Sequence, residues 1–250
     1  MNEVIGYNNV SFYGIAGGET RTAIVPCASA PARIAVAEYL ISRGIERVGF
    51  LGKRDASTPV LEMMVGNLSI NVTLAAAASL VGNKGVFDLL GMTSVKFNKS
   101  GDWVTIELNI SHKVYPEGKD NVVLINNIGH VVTPIRPNEE QIRRNSVEYS
   151  NKYGCPPLGT VWFSPGGIVS YEYVQATNTC AKFPVCGTGS LAAYLTSDGG
   201  KAGVACDINQ TTGQAITIRR GTVSEQFAFT AKVSDASVPG SVFDASALNS

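Results

Sequence analysis

The sequence predicts a mixed α/β protein (α+β in the arrangement of its sheets) built as two pseudo-symmetric halves, each a curved mixed sheet around a central apolar helix. Three observations carry that expectation. A strand-like lead-in followed by small and polar residues opens an apolar helix twice, about half the chain apart, at Val65-Gly66-Asn67-Leu68 and at Val185-Cys186-Gly187-Thr188-Gly189-Ser190. Apolar runs of strand length, alternating or continuous and bounded by Gly, Asn, Asp and Pro, fill most of the remainder. With 250 residues, the chain has room for one large domain or two ordinary ones, with ample core.

Taken in order, residues Val4 to Ile24 alternate apolar with polar or small side chains and are interrupted by Gly14, Gly17 and Gly18, which predicts two short strands. From Ala30 to Arg43 helical spacing places Ile34, Ala37 and Ile41 on one stripe, with Pro31 in the first turn and Gly44 as the stop. Val48–Leu51 and Val60–Met64 read as strands around the charged turn Lys53-Arg54-Asp55. Leu68 to Val81 then forms a helix about 21 Å long at 1.5 Å per residue. Its residues are nearly all small or apolar, so it is expected to be buried on most sides, with Gly82-Asn83 closing it.

Strands are expected at 95–97, 103–108 and 122–125, with the crossing between halves within Ser111–Asp120, which carries Pro116 and Gly118. The halves are drawn as 1–114 and 115–250, and the terminal strand is free to return to the first half. The second half opens with Asn126–Val132, and a charged helix follows from about Asn138 to Asn151. Strands follow near 160–163 and 169–175, then the helix that starts at Cys186, then strands at 203–208, 215–218 and 227–233. The Ser- and Ala-rich tail from Ser234 is expected to be loosely held.

Twenty basic and twenty acidic residues cancel, so nothing in the charge balance points to nucleic acid or an anionic membrane as partner. No apolar run reaches transmembrane length and no secretory leader is visible at Met1–Gly6, so a soluble, cytoplasmic protein is expected. Five cysteines at irregular spacing without a CxxC predict reduced thiols, and His112 and His130 give no metal-site spacing.

The chemistry is expected at Cys186. Gly187 and Gly189 let the backbone curl so that free N–H groups converge, with Thr188 or Ser190 able to cap the first turn. Such a helix start attracts anions, because its amides and dipole amount to about half a positive charge. The same field is expected to favour the thiolate of Cys186 as base or nucleophile.

A GN-initiated apolar helix in the first half and CGTGS with a following Ala192-Ala193 in the second resemble the diaminopimelate epimerase superfamily. These are pyridoxal-phosphate-independent racemases and epimerases, together with the phenazine-biosynthesis and methylitaconate-type isomerases. The order of flanking elements extends the resemblance over nearly the whole chain. It implies that the two central helices point their N-termini into a shared cleft, that a small carboxylate is the substrate, and that no cofactor or metal is used. Substrate contacts would come from Gly66, Asn67 and Leu68 at one helix start and from Gly187, Thr188, Gly189 and Ser190 at the other. Asn127 matches the Asn of the family's GNPH-like turn, and Asn8 or Asn9 its buried N-terminal Asn. A homodimer is one assembly open to it.

In the racemases of this superfamily a cysteine at each helix start serves, one for each face of the substrate. The first of these catalytic positions falls here at Asn71, whose amide neither takes nor gives that proton. The family's Glu-Arg pair before the second cysteine is absent from Tyr173–Cys180, and the Arg before the first is Ile70. Diaminopimelate is therefore not the expected substrate. The first expectation is a one-base proton shift by Cys186, or an elimination from the same carbanion. The alternatives are a racemase whose second base is Cys180, Glu62 or His130, and a non-catalytic binder of small molecules.

Overall fold

The computed structural model describes residues 10–17, 21–26, 30–54, 58–64, 67–126, 128–156, 158–164, 166–174, 177–197, 203–223 and 225–236. Gly66, Asn127, Asn8, Asn9 and Cys27 lie outside them. The first half contains β1 Ser11–Ile15, β2 Arg21–Pro26, α1 Ala30–Ser42, β3 Arg47–Lys53, β4 Pro59–Met63, α2 Ile70–Ser79, β5 Lys84–Leu89, β6 Ser94–Ser100 and β7 Trp103–Asn109. Then come β8 His112–Glu117, β9 Asp120–Ile125, β10 Ile128–Thr133, α3 Glu139–Tyr153, β11 Gly159–Ser164, β12 Gly167–Val174 and β13 Thr179–Phe183. The chain ends with α4 Gly187–Thr196, β14 Ala205–Asn209, β15 Ala215–Arg220 and β16 Gln226–Asp235.

Two mixed sheets result. One runs β1-β2-β3-β4-β5-β6-β7-β16-β15-β14, and a further β1–β16 pairing closes part of it into a ring; the other runs β13-β12-β11-β10-β9-β8. Parallel pairs occur at β2–β3, β4–β5 and β10–β11, where α1, α2 and α3 respectively make the crossover. The chain changes sheets at Ile110 and Ser111, so the division drawn between 114 and 115 falls inside β8.

α2 fills the first sheet, and α4 lies between the second sheet and strands β14 and β15 of the first. α2 packs on β1 to β4, β6, β7 and β16, and every residue from Ile70 to Ala77 is buried. Burying Ile70, Val72 and Leu74 contributes about 2 kcal/mol each, and the run of small Ala side chains lets the surrounding strands come close. α4 packs on β9 to β12, β14 and β15, with Gly187 to Tyr194 all buried. An isolated parallel bridge between Ile168 and Gln210 ties β12 to the end of β14.

The structure corrects several expectations. The first central helix starts at Ile70 rather than Leu68, because Ser69 is extended (φ −127°, ψ 110°) and caps it by accepting from the Val72 N–H. It stops at Ser79, where Leu80 turns extended. On α1 the buried stripe is Val36, Ala37 and Leu40, whereas Ile34 and Ile41 are 65% and 43% exposed. Strands β5, β8 and β13 are additional. The segment expected to be the crossing is the edge strand β8, where the missing N–H of Pro116 leaves no central ladder bond unmade.

Candidate active site

Cys186 is extended (φ −140°, ψ 108°) and is itself the N-cap of α4, the role expected of Thr188 or Ser190. Its sulfur accepts the Gly189 N–H at 3.3 Å and lies 3.6 Å from the Thr188 hydroxyl. Ser190 is bound up with that cap: its N–H and its hydroxyl both donate to the Cys186 carbonyl, at 2.8 and 2.7 Å. Gln210, fully buried, accepts the Cys186 N–H at 3.4 Å and donates to the Ser190 hydroxyl at 3.0 Å and to the Ile208 carbonyl at 2.7 Å. The thiol is half-buried and sits on a doubly anchored backbone.

The two helix starts touch. A Cβ added at Gly187 would lie 2.4 Å from Ile70 Cβ, and one at Gly189 would lie 2.7 Å from Ser170 Oγ and 3.1 Å from Cys186 Sγ. Only glycine permits this approach. Asn71, 4% exposed, joins the helices by accepting the Gly187 N–H at 3.1 Å and donating to the Val185 carbonyl at 3.3 Å. The first-turn N–H groups of two helices thereby converge, and their partial positive charges reinforce each other.

They open onto a cleft of about 180 Å³ lined by Asn67, Leu68, Asn71, Cys186, Gly187 and Thr188. Gly189 and Ser190 are buried behind its wall. Other walls come from both sheets: Met63 and Met64, the start of β3 with its approach (Glu46, Arg47 and Val48), and Ile128, His130, Gly159, Ser170, Glu172 and Phe183. Register explains the second group. His130 lies opposite Gly159 and Ser170 opposite Val161 and Phe183, and steps of two along each strand keep His130, Ser170 and Glu172 on one face.

The charged groups of the cleft differ in state. Arg47 pairs with Glu172 at 3.2 Å across the two sheets, and its guanidinium lies 4.7 Å from the centre of the Phe183 ring. Burial pushes the Glu46 carboxyl above the usual carboxylate range, against the opposing pull of Arg47 and Arg21. Burial, helped by Arg47, pushes the His130 imidazole down to about 4, so it is neutral at pH 7. Among the described residues, both ring nitrogens of His130, Ser170 Oγ and Glu46 Oε2 are buried without a hydrogen-bond partner.

Of the three substitutes for a second base, His130 alone is among the residues that line this cleft. Glu62 is engaged by Arg33, and the Cys180 thiol points to the Glu139 carbonyl beside α3. Glu46, Arg47, Ser170, Glu172 and Gln210 join the site without having been expected there from the sequence. The strand pattern Ile168-Val169-Ser170-Tyr171-Glu172 held one usable sign, polar residues two apart amid apolar ones.

The architecture is the diaminopimelate epimerase-like fold: two curved mixed sheets, each around an apolar helix. Solved structures sharing it include a phenazine biosynthesis protein of the PhzF family from Enterococcus faecalis, at 12% identity and TM-score 0.59, covering 91% of this chain and 97% of that one. A phenazine biosynthesis PhzC/PhzF protein from Clostridium difficile (strain 630) matches at 12% identity and TM-score 0.61, covering 91% and 96%. The PhzF family protein of Bacillus anthracis matches at 11% identity and TM-score 0.60, over the same shares. No protein-family model matches the sequence, and no curated protein does. Among the described residues, no helix is long and apolar enough to cross a membrane.

Proposed function

We propose that this chain is a cofactor-independent isomerase that removes a proton beside the carboxylate of a small amino- or hydroxy-acid-like substrate. The observation that carries the reading is the meeting of two helix starts at one cleft with the Cys186 sulfur at their junction. The carboxylate lies against the two helix starts, whose combined positive field stabilises the charge that spreads onto its oxygens as the proton leaves. Cys186 takes the proton as general base. Asn71 holds the helix starts together and carries no proton.

A second reading, in which the proton is returned by a different group, is favoured by Glu46. A carboxyl that burial holds toward its protonated form, with one oxygen unpartnered in the same cleft, suits a proton donor. Such a donor serves a proton shift between two carbons or an inversion at one. Turnover of small carboxylic acids, followed by proton NMR for proton shifts and by chiral chromatography for inversion, tests both readings. Cys186→Ala is expected to abolish conversion, and Glu46→Gln to abolish it only where a second group returns the proton. Undiminished conversion by Cys186→Ala would remove the cysteine from the reaction.

A further inference from the structure

The cleft contains more polar chemistry than proton abstraction uses. His130 is 5% exposed, and it is the one imidazole among the residues lining the cleft. In a protein interior a ring nitrogen without a partner is costly, and native folds rarely tolerate two on one side chain. Gly159, directly opposite in the ladder, puts no side chain against one of them: a Cβ there would lie 3.0 Å from His130 Nδ1. Ser170, on the same face of the same sheet, adds a buried hydroxyl that is also unpartnered among the described residues and lies against the first turn of α4. Three side chains with buried, unpartnered polar atoms, His130, Ser170 and Glu46, line this one cleft.

We propose that His130 and Ser170 form a neutral hydrogen-bonding subsite for an uncharged oxygen substituent, hydroxyl or carbonyl, on the carboxylate bound at the helix starts. The proposal rests on the carboxylate reading of the cleft and names the substrate class within it. A neutral imidazole offers one donor and one acceptor, and a serine hydroxyl offers both, which suits either oxygen group. An ammonium would meet a neutral ring, and the nearest carboxylate, Glu172, is already paired with Arg47. A second carboxylate would meet a ring in which only one nitrogen carries a proton, beside an Arg47 already paired with Glu172. Glu46, the remaining charged group of the cleft, is itself drawn toward neutrality by burial.

The test is calorimetric binding of propionate, lactate, pyruvate and alanine, and of the corresponding six-carbon acids, to the full chain and to His130→Leu and Ser170→Ala. The hydroxy and oxo acids are expected to bind about tenfold more tightly than their unsubstituted counterparts, the gain from one well-made hydrogen bond. His130→Leu should erase that preference, and Ser170→Ala should reduce it. Because Leu replaces unpaired nitrogens, the variant is expected to melt no lower than the parent, and Ser170→Ala supplies an independent readout. Unsubstituted acids binding as tightly as the oxygenated ones, ammonium acids binding tightest, or a preference that survives both substitutions would overturn the subsite alone. If none of the acids binds, the carboxylate reading falls and the subsite falls with it.

Discussion

At the scale of single residues, Asn71 shows how a position expected to hold a base does different work. Its amide satisfies an orphan N–H of α4 and a carbonyl of the preceding turn, so Asn71→Ala leaves both without a partner. A loss of about 1–3 kcal/mol is expected, measurable by urea unfolding. Asn71→Asp keeps the acceptor but adds negative charge where the helix starts attract it, and should weaken carboxylate binding more than it weakens the fold. His130 yields a pH prediction. Burial, then Arg47, lowers its folded pKa to about 4, so between that value and the unfolded pKa near 6.5 only the unfolded chain takes up the proton. This contribution is full above about pH 6.5 and is lost as the pH falls toward 4, amounting to at most about 3 kcal/mol. The raised carboxyl of Glu46 acts with the opposite sign, stabilising the fold as the pH falls. Comparing the parent with His130→Leu isolates the histidine: the parent's melting temperature should fall more steeply from pH 7 to pH 5. Parallel curves would mean that the ring ionises alike in both states.

At the scale of elements, the close contact of α2 and α4 decides which residues can open them. With a Cβ at Gly187 only 2.4 Å from Ile70, Gly187→Ala must separate the helix starts. A cost of about 1–3 kcal/mol and loss of activity are expected, read by thermal melting and by turnover. Both central helices were legible in the sequence because a capped start precedes a run of small apolar residues. Their ends were less so: Leu68 is apolar and buried, yet it belongs to the approach, and Ser69 makes the cap. The buried stripe on α1 differs from the expected one because Ile34 and Ile41 stay exposed while Val36 and Leu40, equally apolar, are buried. Strands β8 and β13 escaped because they are sheet edges, where one side of the ladder is open and polar residues and proline are tolerated.

At the scale of the whole molecule, the site exists because two halves meet, and its polar walls depend on pairings far apart in sequence. Cys186 and CGTGS could be read locally; Glu46, Ser170 and Glu172 could not, since register across several strands brings them to the cleft. Strands β14 to β16 lie in the same sheet as β1 to β7, with β16 between β7 and β15 and also paired to β1. Two halves sharing strands in this way should unfold together, so calorimetry is expected to record one cooperative transition; two separated transitions would contradict that coupling.

Removal of a carbon-bound proton by Cys186, beside a carboxylate held by two helix starts, is tested in heavy water. Small amino, hydroxy and unsaturated carboxylic acids incubated with the protein would be followed by NMR for deuterium at the carbon next to the carboxylate. At least one acid is expected to gain deuterium with the parent protein and none with Cys186→Ala. An absence of label throughout, or equal labelling by the variant, would contradict it.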